Sequence, residues 1–286
     1  MLEIDPLRDG PTPLPAATVV LLRDVGDHLE VLLVQRHAAT AFMGGAYVFP
    51  GGKLDPSDAS EDVLSRCAAE SDQALLTALG PTESIDAATA RGLHVAAARE
   101  TFEEAGVLLG ASPRSHADIA AARARLNARA PWSEVLADLD ATLHLDRLVP
   151  LSRWVTPAVE RKRFDARFFL CHVTGEESDR ASVEEHETVA SRWLPPSEAI
   201  ALHAAAAIDL PPPTLRTLEL LVPFRRAAEA IATARASTPA LVRPIFHAPT
   251  EGWVLALPGD PLHPEPTPVL GGSTRFVCRD SRWFSA

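Results

Sequence analysis

Apolar positions near the N-terminus fall in short runs. Ala17 to Arg23 and Leu29 to Arg36 are rich in Val and Leu and are separated by Asp24-Val25-Gly26-Asp27, a pattern that predicts two strands joined by a hairpin connection. Phe42 to Gly52 reads as a Gly-punctuated loop with a short strand at Ala46 to Phe49, ended by Pro50-Gly51-Gly52. From Leu54 to about Gly92 no period is sustained, which predicts a partly helical insertion. Between positions 93 and 105 the spacing becomes helical. At about 100° per residue, Val95, Ala98, Phe102 and Ala105 fall on one side. Arg99, Glu100, Glu103 and Glu104 fall on the other, and Gly106 supplies a helix stop.

Further along, His116 to Arg129 and Trp132 to Leu139 predict two helices of a second insertion or cap. Arg163 to Val173 and Ser191 to Leu194 predict strands, and Ser197 to Ala207 a helix. Leu215 to about Arg235 reads as one long helix kinked at Pro223. Beyond Pro239, Pro, Gly and short β-like runs at 242–247, 253–257 and 274–278 predict a small β-rich extension. The expected division is an arm over 1–15, a main domain over 16–236 with insertions at about 58–92 and 111–148, and an extension over 237–286. These local patterns give mixed α/β structure without fixing its topology.

Composition narrows the function classes. A chain of 286 residues with 47% hydrophobic and 23% charged positions has enough apolar content for a folded core. Its net charge of −11 argues against a nucleic-acid partner, since phosphate backbones are held by clustered Lys and Arg. An anionic small molecule would need a few local Arg side chains and a divalent cation. The longest uncharged apolar runs, Ala16 to Leu22 and Val31 to Val34, are far too short to cross a bilayer, and the N-terminus lacks the basic start of a signal peptide. Cys67, Cys171 and Cys278 have neither metal-site nor disulfide-framework spacing. A soluble cytoplasmic protein with reduced thiols is expected, with no membrane partner; whether it forms a homodimer is open.

The candidate chemistry lies in Arg99-Glu100-Thr101-Phe102-Glu103-Glu104-Ala105-Gly106-Val107. Glu100 stands three and four positions before Glu103 and Glu104, so three carboxylates share one helical face at a mutual electrostatic cost. A hard divalent cation would turn that repulsion into coordination. Taken alone, the cluster is equally compatible with a solvated acidic face carrying an Arg99–Glu103 ion pair. His94 and His186 have no metal-ligand company and are expected in structural or solvent roles. Trp154, Trp193 and Phe102 are expected in the core.

Arg99 to Val107 resembles the second half of the Nudix box, G-x5-E-x7-R-E-U-x-E-E-x-G-U, where U is apolar. Val48-Phe49-Pro50-Gly51-Gly52-Lys53-Leu54-Asp55 resembles its first half. Thr101 replaces the first apolar residue of the second half. Gly52 and Arg99 also stand much farther apart than the box allows, so an insertion interrupts it, and Asp58 falls where counting from Gly52 would place the box's first Glu. The interruption is similar to the Nudix branch typified by the peroxisomal coenzyme A diphosphohydrolase of mammals. Phe42 to Asp55, Trp154 to Pro157, Arg163 to Phe169 and Trp193 to Ala199 share that likeness in order, over roughly 16–225.

The resemblance implies an α/β/α sandwich with a mixed sheet, a box insertion, a helical cap and the β-rich extension. It implies Mg²⁺-dependent hydrolysis, with Mn²⁺ as the alternative ion, of a pyrophosphate bond in a small nucleotide-linked substrate. The expected substrate is coenzyme A or acyl-coenzyme A, giving 3′,5′-ADP and (acyl-)phosphopantetheine. ADP-ribose, a dinucleotide or a nucleoside triphosphate is the alternative, and a non-catalytic Nudix-fold binding module a further one. Carried over residue by residue, Arg99 orients the carboxylates, Glu100, Glu103 and Glu104 hold the metal, and Gly52 offers a backbone carbonyl beside it. Glu187 and Glu185 are the candidates for a distal base. Arg36, Arg163 and Arg167 are candidates for substrate phosphates.

Overall fold

The computed structural model describes residues 10–37, 43–68, 71–80, 85–181, 188–248 and 252–286. The first two apolar runs form β1 (Leu14–Val25) and β2 (His28–Arg36), a hairpin closed at Val25↔His28. Two short strands follow, β3 (Tyr47–Val48) beside β2 and β4 (Gly51–Lys53) beside the first half of β1. The expected box insertion contains a 3-10 turn over Pro56–Ala59, then α1 (Glu61–Leu64), β5 (Cys67–Ala68) and α2 (Asp72–Ala78).

The carboxylate helix is α3 (Ala87–Ala105), starting six residues earlier than the periodicity indicated. Asp86 caps it by accepting the Thr89 N–H at 2.8 Å, and Gly106 ends it at a φ of 72°. The second insertion supplies β6 (Gly110–Ala111), α4 (His116–Asn127), α5 (Trp132–Asp138) and β7 (Thr142–His144). β7 pairs with both β5 and β6, so the two insertions knit into one small three-stranded sheet.

The chain then returns to the main sheet as β8 (Val149–Val155), β9 (Phe164–His172) and, after α6 (Gly175–Arg180), β10 (Thr188–Leu194). β9 runs parallel to β1, which places long-range partners at the centre of a mixed sheet. The helices α7 (Pro196–Ala204), α8 (Pro212–Leu221) and α9 (Ala227–Arg235) follow. The expected kinked helix is therefore two helices. Pro223 has no amide hydrogen to continue the ladder, and Arg226 is extended before α9 begins. The C-terminal region gives β11 (Ala240–Val242), which joins the main sheet beside β8. It then builds a separate sheet from β12 (Ile245–His247), β13 (Val254–Ala256), β14 (Arg275–Arg279) and β15 (Arg282–Ser285).

Alternate residues of β1 divide the core. Ala17, Val19 and Leu21 pack toward α3 and the insertions, whereas Val20 and Leu22 pack toward α7, α8, α9 and the C-terminal sheet. The result is the expected α/β/α sandwich, with apolar residues buried on both faces of the sheet. α3 is closed in nearly all round because the insertions cover the side away from the sheet. Arg99, Glu100 and Glu104 are thus buried rather than on a solvated face, which excludes the alternative left open by their periodicity. No described helix is long and apolar enough to cross a membrane.

Candidate active site

The site forms where β4 meets the C-terminal half of α3. Arg99 is its hub. Its Nε and Nη2 donate to the two carboxylate oxygens of Asp58 at 2.7 and 3.0 Å, Nη2 also donates to the Lys53 carbonyl, and Nη1 donates to Glu100 at 2.8 Å and Glu103 at 3.3 Å. Burial pulls the Arg99 guanidinium down, but the Asp58 hydrogen bonds and the Glu100 charge outweigh it and hold its pKa above the usual value. Asp58 is fully buried. It was expected at the start of an insertion and instead belongs to the site, in the place the box assigns to its first acid. The inserted chain loops out only after it.

Gly52 and Glu100 converge across that same gap. A Cβ on Gly52 would lie 2.4 Å from the Glu100 carboxylate, so any larger residue there would force that carboxylate to move. The Gly51 amide donates to Glu104 at 2.9 Å. Burial pushes the Glu100 carboxyl up from its ordinary value; Arg99 opposes that rise and the neighbouring charge of Glu103 adds to it. Thr101, the departure from the box, is buried and satisfies its hydroxyl by donating to the Ala97 carbonyl at 2.7 Å, so no polar atom is left unpaired there.

Glu100, Glu103 and Glu104 supply the oxygen donors a hard divalent cation requires. Among the described residues no three ligating side chains already converge on one point. Glu100 is turned to Arg99 and Glu104 to the Gly51 amide. The fit therefore rests on donor chemistry: buried carboxylates outnumber the guanidinium beside them, and Glu100 is held in an environment that a nearby cation would relieve.

These carboxylates line a cavity of 680 Å³, a size suited to a small-molecule ligand. Arg36 also lines it. Arg163 and Arg167, the other two candidates for substrate phosphates, do not line it. Arg163 donates to the carbonyls of Thr156 and Pro11 and ties down the start of β1. Arg167 points into the sheet's α3 side, where it meets Asp165 at 2.8 Å; Arg153 clasps the same carboxylate at 2.7 and 2.8 Å. Burial lowers the Arg167 pKa against the pull of Asp165. Arg163, Asp165 and Arg167 alternate along β9 with Phe164, Ala166 and Phe168, and of the six only the latter three line the cavity.

Three cations that the sequence did not single out for this role, Lys53, Arg129 and Lys162, line the cavity instead. Lys53 was within reach of the sequence, since it follows Gly51-Gly52 directly. Arg129 and Lys162 are brought in by tertiary packing. Glu185, His186 and Glu187 lie outside the described residues. His94 is buried, its Nδ1–H donating to the Ala90 carbonyl at 2.8 Å, and its ring stands 4.8 Å from Phe169. Phe102 packs beside Trp132 in the core, Trp193 is partly buried, and Trp154 is buried but also faces the cavity.

A profile of the NUDT19 Nudix domain matches residues 12–221. Among curated proteins, the chain is 31% identical over 281 residues to the human acyl-coenzyme A diphosphatase NUDT19, covering 84% of this chain and 74% of that one. It is 26% identical over 287 residues to the Xenopus laevis protein of the same name, covering 87% and 75%. Among solved structures, a NUDIX hydrolase from Alicyclobacillus acidocaldarius superposes with a TM-score of 0.61 at 28% identity, covering 79% of this chain and 97% of that one. The interrupted box, its rejoined Arg99–Asp58 core and these likenesses agree: the chain belongs to the NUDT19 Nudix domain family and is a Nudix pyrophosphohydrolase.

Proposed function

We propose that the protein hydrolyses the pyrophosphate bond of coenzyme A or acyl-coenzyme A, yielding 3′,5′-ADP and (acyl-)phosphopantetheine. The observation that carries this is one cavity with two chemically different kinds of lining. Glu100, Glu103 and Glu104 line it with Arg36 and Lys53, and so do the aromatic and aliphatic side chains of Trp154, Phe168, Phe246 and Leu255. Such a combination suits a substrate with a charged diphosphate and a long, weakly polar arm. The names of the human and Xenopus laevis relatives point the same way.

Glu100, Glu103 and Glu104, with the Gly52 carbonyl beside them, would hold Mg²⁺, with Mn²⁺ as an alternative. That ion, when bound, neutralises phosphate charge and activates water. The chain's own contribution is positional. Asp58 fixes Arg99, and Arg99 keeps Glu100 and Glu103 on the cavity side of the helix, from which they would turn to the ion. Arg36 and Lys53 line the cavity and would meet phosphate oxygens. Glu187 and Glu185 remain our candidates for the base that takes the water's proton. Thr188, which follows Glu187, is in register with Arg36 at the cavity. Unpaired Cys67, Cys171 and Cys278 suit a reducing compartment, for which we propose the cytoplasm.

The test is a panel of coenzyme A, acetyl-coenzyme A, ADP-ribose, NADH and nucleoside triphosphates with Mg²⁺, read by product mass. The proposal expects 3′,5′-ADP as a product and a higher kcat/KM for coenzyme A than for ADP-ribose. A preference for ADP-ribose or for 3′-dephospho-coenzyme A would sink the coenzyme A assignment.

A further inference from the structure

The main sheet separates two sides of the molecule, yet the cavity touches both. The carboxylates belong to α3 on one side, while Ala166 and Phe168 of β9 face the other, where α8 and the C-terminal sheet pack. On that second side the wall is completed by Phe246 of β12, Leu255 of β13 and Trp283 of β15, with Pro244 before them. All four lie beyond residues 12–221, the part matched to the Nudix domain. The C-terminal sheet therefore contributes directly to the cavity that holds the reaction chemistry.

That sheet is also fastened to the body by buried polar contacts. The Trp283 carbonyl accepts from Nε2–H of buried His203 on α7 at 2.8 Å, and the Leu210 amide donates to Nδ1 of the same ring at 3.1 Å, which fixes its tautomer. Arg282 reaches the carbonyls of His203 and Ile208. Arg216 of α8, fully buried, meets Glu219 at 2.7 Å and donates to the Ser285 hydroxyl at 3.0 Å and to the Ser273 carbonyl. Contacts of this kind hold a wall in place and keep its side chains at defined positions.

The chemistry of the wall distinguishes what it receives. A nucleobase offers a polar edge that needs several hydrogen-bond partners when buried; the side chains of Phe246, Leu255, Pro244, Phe168 and Ala166 offer none, and the indole N–H groups of Trp154 and Trp283 offer one donor each and no acceptor. A hydrocarbon chain needs only shape and apolar contact.

We propose that the C-terminal sheet forms the acyl end of the substrate cavity, with Phe246, Leu255 and Trp283 as specificity-determining residues for the fatty-acyl group of an acyl-coenzyme A. This deepens, and rests on, the substrate class proposed above. Selection among acyl-coenzyme A substrates then resides in the C-terminal sheet, while the hydrolytic chemistry resides in the Nudix box.

The experiment compares coenzyme A with acetyl-, octanoyl- and palmitoyl-coenzyme A in the full chain and in two variants. Phe246→Ala opens the wall, and Ala166→Leu narrows the cavity from the floor. The readout is the ratio of kcat/KM for octanoyl-coenzyme A to that for coenzyme A. Each variant is expected to lower this ratio about tenfold, and Ala166→Leu to shift preference toward acetyl-coenzyme A. Equal losses on both substrates, as an adenine-binding wall would give, or an unchanged ratio in both folded variants, would overturn the proposal. Dissociation constants for the same pair without added metal give the ratio independently of turnover. Failure to cleave coenzyme A would thus refute the hydrolytic reading, while the binding ratio would still decide this one.

Discussion

Both carboxylate oxygens of Asp58 accept from the Arg99 guanidinium, across 41 residues of sequence that include an inserted, partly helical segment. The pair is buried, so its removal cannot be compensated by water. Asp58→Asn is expected to cost about 1.5 to 3 kcal/mol of stability, because one of the two charge-assisted hydrogen bonds is lost and the new amide N–H group faces an Arg99 donor. It should also lower turnover more than tenfold by releasing the carboxylates that Arg99 positions. Urea denaturation alongside steady-state kinetics would check both effects; a variant with wild-type stability and activity would show that Arg99 is held by something else.

Gly52→Ala should reduce kcat/KM by at least about a hundredfold while the protein stays folded. The added methyl would occupy the space of the Glu100 carboxylate, which must move away from its neighbours. Gly175→Ala is the matching control: nothing lies within 4 Å of its added carbon, and its φ is not positive. Circular dichroism and kinetics on both variants separate a local effect at the site from general damage.

Arg36→Ala should cost about 1.5 to 3 kcal/mol of transition-state binding, or about 10- to 100-fold in kcat/KM for coenzyme A. Arg163→Ala should leave kcat within about twofold, since its guanidinium is engaged by the Thr156 and Pro11 carbonyls and Arg163 does not itself line the cavity. A larger kinetic loss from Arg163→Ala than from Arg36→Ala would reverse this assignment of the cations.

His94 should make the fold acid-sensitive. Desolvation is the main cause that lowers its pKa to about 4 from 6.5, so the folded state favours the neutral ring. Its stabilising contribution is complete above about pH 6.5 and is lost as pH falls toward 4, reaching about 3 kcal/mol in all. His94→Phe should flatten the decline in unfolding free energy between pH 6.5 and 4. An unchanged slope would mean that other groups govern acid unfolding.

The box was legible because its chemistry is local. Glu100, Glu103 and Glu104 are fixed by helical spacing, and counting from Gly52 put Asp58 where the box has its first Glu, although the insertion was expected to begin there. The true start of α3 was hidden because the Asp86 cap precedes a run of Ala interrupted by Gly92, without the apolar period that marks 93–105. β15 went unrecognised because four residues are too few to show alternation. That Arg163 and Arg167 do not line the cavity was not legible, because a strand's period assigns residues to a face but not the face to a site. Least legible was the part played by Phe246 and Trp283, since their place at the cavity follows only from how a separate sheet docks on α7 and α8.

The central claim is that the polar face of α3 is a metal-dependent hydrolytic centre rather than a buried structural charge cluster. Turnover of coenzyme A with Mg²⁺ by Glu103→Gln and Glu104→Gln tests it most directly. Both variants keep the side-chain shape while removing an anionic donor. Each should remain folded and lose about 10³ in kcat, corresponding to about 4 kcal/mol of transition-state stabilisation. Near-normal turnover in both folded variants would contradict the assignment of this face as the catalytic metal site.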